Sequence, residues 1–184
     1  MVLAFIWGLL EATLFFIIPD VLLTFIAIHG FSVGLYASLL ALAGALLGGT
    51  IMYVYAKHDF SRAYLLVGKV PSVGEKMLDD VEQSVTSKGI VAMITGPIRG
   101  IPYKIFAIYA PKVHIRHISF LLASIPARFT RFFLTSVIAW LLANVLFDAL
   151  PMWIKYCVWG IVWIIVYMIY FSIHPWRGKS NEAE

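Results

Sequence analysis

The sequence predicts an all-α integral membrane protein: an inverted repeat of two re-entrant helical hairpins, each followed by a transmembrane helix, and one further C-terminal transmembrane helix. Hydrophobic residues make up 61% of the 184 residues and charged residues only 13%, which is more apolar surface than a soluble domain of this length buries. Two apolar segments are interrupted near their middle by proline, whereas three other apolar stretches are long enough to span a bilayer. We therefore expect a single membrane domain over residues 1–175 and a polar tail at 176–184.

Residues 2–29 form the first interrupted segment. Pro19 removes a helical hydrogen bond and disfavours helical geometry at Ile18, so two half-helices are expected. Each half has roughly 10 to 16 residues, fewer than the ~20 that a full crossing needs. This length predicts a re-entrant hairpin, followed after a turn by a transmembrane helix over residues 34–56. In that helix Gly44 and Gly48 lie on one face, which permits close contact with another helix.

Residues 57–89 form a long polar linker. Met77-Leu78, Val81 and Val85 recur in it at helical spacing, which predicts a surface helix. A second interrupted apolar segment, residues 90–111, predicts the second re-entrant hairpin, because two glycines and two prolines at its centre cannot continue a helix. Together with Pro19, the predicted hairpin breaks are therefore Gly96, Pro97, Gly100 and Pro102.

Two more apolar stretches predict transmembrane helices at residues 118–146 and 152–173. If both hairpins return to the face from which they enter, the two halves are inverted, and the linker and the tail share one face. By the positive-inside rule, that face is cytoplasmic, in a multi-pass protein of the inner (cytoplasmic) membrane. Hairpins that crossed the bilayer fully would leave the linker and the tail on one face as well. The opposite face has only Lys155 near it, whereas the predicted cytoplasmic face holds Lys57, Arg62, Lys69, Lys76, Lys88, Lys112, Arg116, Arg177 and Lys179.

Six charged side chains lie inside the apolar segments. The acids Glu11 and Asp20 belong to the first interrupted segment, whereas the bases belong to the second and to the helix after it: Arg99, Lys104, Arg128 and Arg131. Each charge costs about 2.5–3.5 kcal/mol at bilayer depth by insertion scales, so a polar path or a binding site is the default explanation. We interpret the acids as proton-coupling or substrate-path residues and the bases as ligands of a lipid phosphate.

A lipid phosphate is an anion that must pass through an apolar region. The N-termini of half-helices offer it unpaired N–H groups and the positive end of a helix dipole. Arg99 can bind its oxygens in a bidentate manner, and Lys104 adds charge. Burial and a nearby base act in opposite directions on a carboxyl group, so Glu11 or Asp20 can gain and lose a proton as the substrate arrives and leaves.

Each of these charges also has a structural interpretation. Glu11 and Arg99 can form a buried ion pair that joins the hairpins, and Asp20 can be a helix N-cap. Arg128 and Arg131 can extend along the helix towards the membrane surface. The six Trp and nine Tyr residues are interpreted mostly as interface anchors and lipid-facing surface.

Several of these residues together resemble the DedA family of membrane proteins, also described as the VTT or SNARE-associated Golgi type, and most closely its short bacterial branch. The resemblance covers residues 9–146 and rests on the segment from Glu11 to Asp20, the glycine-rich helix after it, the Gly-Pro-Ile-Arg-Gly-Ile-Pro-Tyr-Lys run at 96–104, and the Ala-Arg-Phe of the next long helix. It implies two re-entrant hairpins in an inverted repeat. It also implies movement of lipids across the bilayer, including polyprenyl phosphates and phospholipids, often dependent on proton motive force.

In this resemblance Glu11 matches the acid of the first hairpin, and Asp20 matches the acid beside the proline at the hairpin tip. Arg99 and Pro102 match the first arginine and the proline of the family's Arg-x-x-Pro pattern. Lys104 lies one position before the place of the second arginine, which this chain lacks, and Ala110-Pro111 stands where the family commonly has Ala-Gly. Lysine offers a point charge in place of the planar fork of arginine.

The function predicted from the sequence is a transporter or scramblase of lipid phosphates, compatible with proton coupling and with a homo-oligomer. A small-ion or solute proton exchanger and a scaffold for envelope maintenance are the alternatives. An enzyme acting on lipid head groups is disfavoured, because no nucleophile set is recognisable, so we predict a protein that is not an enzyme. Membrane lipids are the expected partners, and neither a cofactor, a metal nor nucleic acid is expected.

Overall fold

The computed structural model describes residues 1–71, 73–97 and 100–173. All regular elements in these ranges are helical, and they include nine α-helices. In chain order these are α1 (Val2–Thr13), α2 (Asp20–Ala27), α3 (Phe31–His58), α4 (Phe60–Gly68), α5 (Glu75–Lys88), α6 (Ile90–Thr95), α7 (Tyr103–Lys112), α8 (His117–Leu141) and α9 (Met152–Ile173). A π-helical turn over Leu142–Leu146 continues α8.

Three helices are long and apolar enough to cross a membrane: Phe31–His58, His117–Leu146 and Met152–Ser172. They confirm the predicted all-α chain with long apolar helices, which is compatible with a membrane protein. The first of them begins at Phe31, three residues before its predicted start, because Gly30 adopts a φ of 155° and ends the preceding turn. Large apolar side chains such as Ile161 and Ile164 point outward from α9, as is typical of a helix that faces lipid.

The two interrupted segments are each divided into two short helices. In the first, α1 and α2 are separated by residues 14–19, and Pro19 is the N-cap of α2. In the second, α6 ends before Gly96 and Pro97, and α7 begins after Pro102, its N-cap. Proline is tolerated at the start of a helix because the N–H that it lacks has no intrahelical partner there. Gly100 has a φ of 82°, which favours glycine.

The linker contains two helices, although only the second was predicted. The α4 helix begins after Asp59, whose side chain accepts a hydrogen bond of 3.0 Å from the backbone N–H of Arg62, which is a typical N-cap. In α5 the buried residues Leu78, Val81 and Val85 belong to the same apolar core as Val67 of α4. The predicted spacing in α5 therefore marks its buried face.

The α3 helix lies at the centre and packs against α1, α7 and α8. Its contact with α1 depends on glycines. A Cβ at Gly44 would overlap the backbone of Phe5, and a Cβ at Gly48 would lie 2.6 Å from the carbonyl oxygen of Leu9. Gly8 of α1 faces the backbone of Ala41 in the same way. The two helices therefore meet backbone to backbone, as the spacing of Gly44 and Gly48 predicted.

Candidate functional site

Two ion pairs join the first interrupted segment to α8. Arg128 pairs with Glu11 of α1, and Arg131 pairs with Asp20 of α2 at 2.8 Å between Nη2 and Oδ2. Arg128 and Arg131 are three residues apart, so they project from one face of α8. Glu11, Asp20 and Arg128 are all buried. One helix therefore brings both of its bases to both acids of the first segment.

Arg128 is surrounded by aromatic rings as well as by its acidic partner. Its guanidinium lies over the rings of Tyr103 and Phe132, at 4.6 Å and 5.0 Å from their centroids, a geometry that favours a cation. The Tyr103 hydroxyl in turn donates a 2.9 Å hydrogen bond to Ser124. Within the described ranges, Arg128 Nε is buried and has no hydrogen-bond partner. A buried donor without a partner is uncommon in proteins and offers a place for an added acceptor.

The Asp20–Arg131 pair has a third member. Thr135, one turn further along α8, donates a 3.0 Å hydrogen bond from Oγ1 to Asp20 Oδ1. The interpretation of Asp20 as an N-cap is wrong, because Pro19 occupies that position and the side chain of Asp20 bonds to α8 instead. The Arg131 side chain is 36% exposed. The predicted extension of Arg128 towards the membrane surface is wrong, because Arg128 is buried against Glu11, whereas Arg131 is partly exposed and pairs with Asp20.

Lys104 connects the two interrupted segments. It belongs to the buried run of α7, and its Nζ donates a 2.6 Å hydrogen bond to the carbonyl oxygen of Phe15, in the break between α1 and α2. Among the residues that the structure describes, Lys104 has no carboxylate partner. A buried ammonium group is therefore held by a neutral carbonyl, and an ammonium group has three N–H donors.

The irregular backbone between α1 and α2 is hydrogen-bonded by side chains. Besides the bond from Lys104, the carbonyl of Ile17 accepts a 3.1 Å hydrogen bond from Trp7 Nε1, and the N–H of Ile18 donates a 3.2 Å bond to the hydroxyl of Tyr167. In apolar surroundings such backbone groups need partners inside the protein. Trp7 and Tyr167 therefore stabilise the break, a role that their interpretation as interface anchors missed.

The described charges do not cancel. Two acids, Glu11 and Asp20, face three bases, Lys104, Arg128 and Arg131. One positive charge is thus in excess among these five residues, and buried positive charge favours an anionic ligand. The sixth predicted residue, Arg99, lies outside the described residues.

The structure pairs Glu11 with Arg128, whereas the predicted pair between Glu11 and Arg99 involves a residue outside the described ranges. Residues that sequence reasoning missed are Tyr103, Ser124 and Thr135, which complete the surroundings of the charges. Thr135 follows Arg131 by one helical turn, so the helical spacing could have placed it on the same face as Arg128 and Arg131. The chain matches no family model, no curated protein and no solved structure.

Proposed function

We propose that this protein moves lipid phosphates, either polyprenyl phosphate or phospholipid, across the bilayer, as a DedA-like transporter or scramblase. The observation that carries this function is the buried group of Glu11, Arg128 and Lys104, in which Lys104 of the second interrupted segment bonds to the break of the first. Buried charges in a membrane protein are costly and are retained for binding or transport. The excess base makes the expected ligand an anion.

The lengths of the short helices support two re-entrant hairpins. The 12 residues of α1 and the 8 of α2 correspond to about 18 Å and 12 Å at 1.5 Å per residue. The α6 helix has 6 residues and the α7 helix has 10, so their combined length is smaller than that of α1 and α2. None of these helices reaches the ~30 Å of a hydrocarbon core. Interrupted segments in matching positions of two halves are typical of transporters whose site lies at the repeat interface.

The chemistry of the three central residues supports uptake of a proton together with a phosphate. A phosphate that enters offers oxygens to the free Nε of Arg128 and to the Lys104 ammonium group, which are donors of charge-assisted hydrogen bonds. Its negative charge competes with Glu11 for Arg128. Once Glu11 loses that partner, protonation is the favourable way to remain buried. Departure of the phosphate reverses both steps, so that proton and lipid movements are coupled.

The expected setting is the inner membrane, with the linker and the C-terminus in the cytoplasm. The charges that support this orientation belong in part to α4 and α5, which carry Arg62, Lys76 and Lys88 on the linker side. Bases concentrate on the cytoplasmic side of membrane proteins. A position in the inner membrane supports membrane lipids as the partners.

Translocation in liposomes tests the proposed function. The purified protein is reconstituted with labelled polyprenyl phosphate and, in parallel, labelled phospholipid, with and without a pH gradient. Gradient-dependent movement of the polyprenyl phosphate alone would indicate a proton-coupled carrier. Equal movement of both lipids without a gradient would indicate a scramblase. Absence of movement of either lipid would contradict the proposed function and favour the solute exchanger or the scaffold.

Two substitutions address the predicted acid and base. Glu11→Gln and Arg99→Ala should each abolish translocation while membrane insertion and folding are retained, because one removes the proton site and the other a phosphate ligand. Glu11→Gln should also lower stability, because it leaves Arg128 as an unpaired buried charge. Translocation is measured in the same liposomes, and folding is followed by circular dichroism and gel filtration. Normal translocation by both variants would contradict the assignment of the site.

A substitution of Lys104 tests the phosphate site without breaking an ion pair. Lys104→Met should lower translocation about tenfold or more, because a hydrogen bond to a charged group contributes about 1.5–3 kcal/mol. The matched control is Lys112→Met, which removes a half-exposed lysine paired with Glu82 at 2.6 Å, and a surface pair contributes little. Equal rates for the two variants would show that Lys104 does not contact the lipid phosphate.

A further inference from the structure

We propose that a groove between α9 and the first interrupted segment holds one acyl chain of a phospholipid whose phosphate lies beside Arg131; this inference rests on the proposed function and names its substrate. The groove, called the α9 groove below, has a volume of about 980 Å³, which is within the usual range of ligand pockets. The residues that line it and carry the inference are Trp7, Ile17, Trp159, Trp163, Tyr167 and Phe171.

The shape of the α9 groove fits one hydrocarbon chain. Trp159, Trp163, Tyr167 and Phe171 follow each other at intervals of four residues, so they form one wall along a single face of α9. The twelve residue steps from the first to the last span about 18 Å. One leaflet of the hydrocarbon core is about 15 Å deep, half of ~30 Å. The groove is thus as long as an acyl chain that stays within one leaflet.

The polar atoms of the wall are engaged elsewhere. The indole N–H groups of Trp159 and Trp163 each donate a 3.0 Å hydrogen bond to Thr24 Oγ1, and Thr24 itself donates 2.7 Å to the carbonyl of Asp20. The Tyr167 hydroxyl accepts from Ile18 N. What the groove offers to a ligand is therefore mostly ring faces and aliphatic carbon, which suit a hydrocarbon chain.

A charged group beside the wall selects the kind of molecule. Ile18 donates its N–H to the Tyr167 hydroxyl, and Thr24, which accepts from Trp163, bonds to the carbonyl of Asp20, so the Asp20–Arg131 pair lies next to this part of the wall. Arg131 meets Asp20 through one terminal nitrogen and is partly exposed, and a guanidinium carries five N–H donors. The remaining donors suit a phosphate oxygen. An apolar chain with an anion at one end fits this site, and the length of about 18 Å favours the acyl chain of a phospholipid. An apolar helix would lack the anion.

Gly160 makes the groove testable without disturbing the fold. A Cβ at Gly160 would meet no atom within 4 Å, and Gly160 lines the groove. Gly160→Leu therefore adds four carbons to the groove from a Cβ that meets no other atom. Val162→Phe adds the same four carbons on the same helix at an exposed residue, so it is the matched control.

Photo-cross-linking gives a readout that does not depend on transport. The full chain is reconstituted with a trace of phospholipid that carries a photoactivatable acyl chain, and adducts are mapped by mass spectrometry. Adducts should concentrate on groove residues such as Trp163 and Phe171, in preference to Ile161 and Ile165 on the outer face. Gly160→Leu should reduce groove adducts about tenfold, equivalent to about 1.4 kcal/mol, and Val162→Phe should leave them unchanged. A photoactivatable diacylglycerol, which lacks the phosphate, should also label the groove about tenfold less.

Equal labelling of the groove and the outer face would overturn the inference, as would groove labelling that Gly160→Leu leaves intact. Stronger groove labelling by a polyprenyl phosphate probe than by the phospholipid would overturn the acyl chain assignment. Translocation is measured in the same liposomes. Groove adducts without translocation would support lipid binding and contradict the proposed function. Translocation without preferred adducts would overturn the groove alone.

Discussion

Replacing Arg128 with methionine should lower the free energy of unfolding by about 3–5 kcal/mol, because Glu11 would remain as an uncompensated buried charge. Both side chains are buried, and Arg128 lies between the rings of Tyr103 and Phe132 as well. Methionine keeps most of the apolar contacts of the arginine stem, so the loss reflects the charge. Reversible unfolding in bicelles or mixed micelles measures the free energy.

The control removes both charges. In a variant that combines Glu11→Leu with Arg128→Met, stability should return to that of the natural chain or exceed it, because hydrophobic residues of similar volume replace buried ion pairs at little cost. The two single variants and the double variant form a double-mutant cycle, which isolates the interaction between the two side chains. Losses that simply add in the double variant would contradict an ion pair between Glu11 and Arg128.

The same double variant separates a structural pair from a functional one. It retains the fold but has neither the proton site nor the base that the proposed function requires. A stable double variant that fails to translocate lipid would place the pair in the transport path. A stable double variant with normal translocation would leave the pair with a structural role only.

Gly44→Ala should lower the free energy of unfolding by about 1–3 kcal/mol, the usual cost of overpacking. The added Cβ would overlap the backbone of Phe5. A backbone cannot relieve the overlap by changing rotamer, as a flexible side chain can. The whole of α1 would have to move away from α3. The measurement is again reversible unfolding, with retention of the fold checked by gel filtration.

Gly160→Ala is the control, since it makes the same change in another apolar helix where the added Cβ meets no atom within 4 Å. There the expected effect is neutral or stabilising by about 0.5–1 kcal/mol, because alanine is favoured over glycine inside a helix. If both alanines had the same effect, the backbone contact between α1 and α3 would not contribute to stability.

The breaks and the long helices could be predicted because their causes are local. Pro19 and Pro102 end helical hydrogen bonding wherever they stand, and the long apolar stretches fix the long helices to within a few residues. The α4 helix was missed because its N-cap, Asp59, lies in a stretch whose charge marks it as polar without showing where a helix starts.

The sequence predicted which charged residues form the site more accurately than it predicted which of them pair. Buried charges need partners, so acids and bases in apolar segments were expected to meet. Which base meets Glu11 depends on how α8 packs against α1, and this is a property of the tertiary structure that no local pattern encodes. The aromatic partners are harder still: Tyr167 bonds to a residue 149 positions away in the sequence.

The glycine contact between α1 and α3 limits which parts of the molecule can move. Backbones that touch over Gly8, Gly44 and Gly48 cannot slide past each other by a fraction of a turn without collision. The two helices therefore behave as one rigid body, and Glu11 is fixed to it. Arg128 belongs to another helix. In the transport cycle proposed above, opening and closing of the ion pair would then come from displacement of α8 relative to α1, with Glu11 as the fixed reference point.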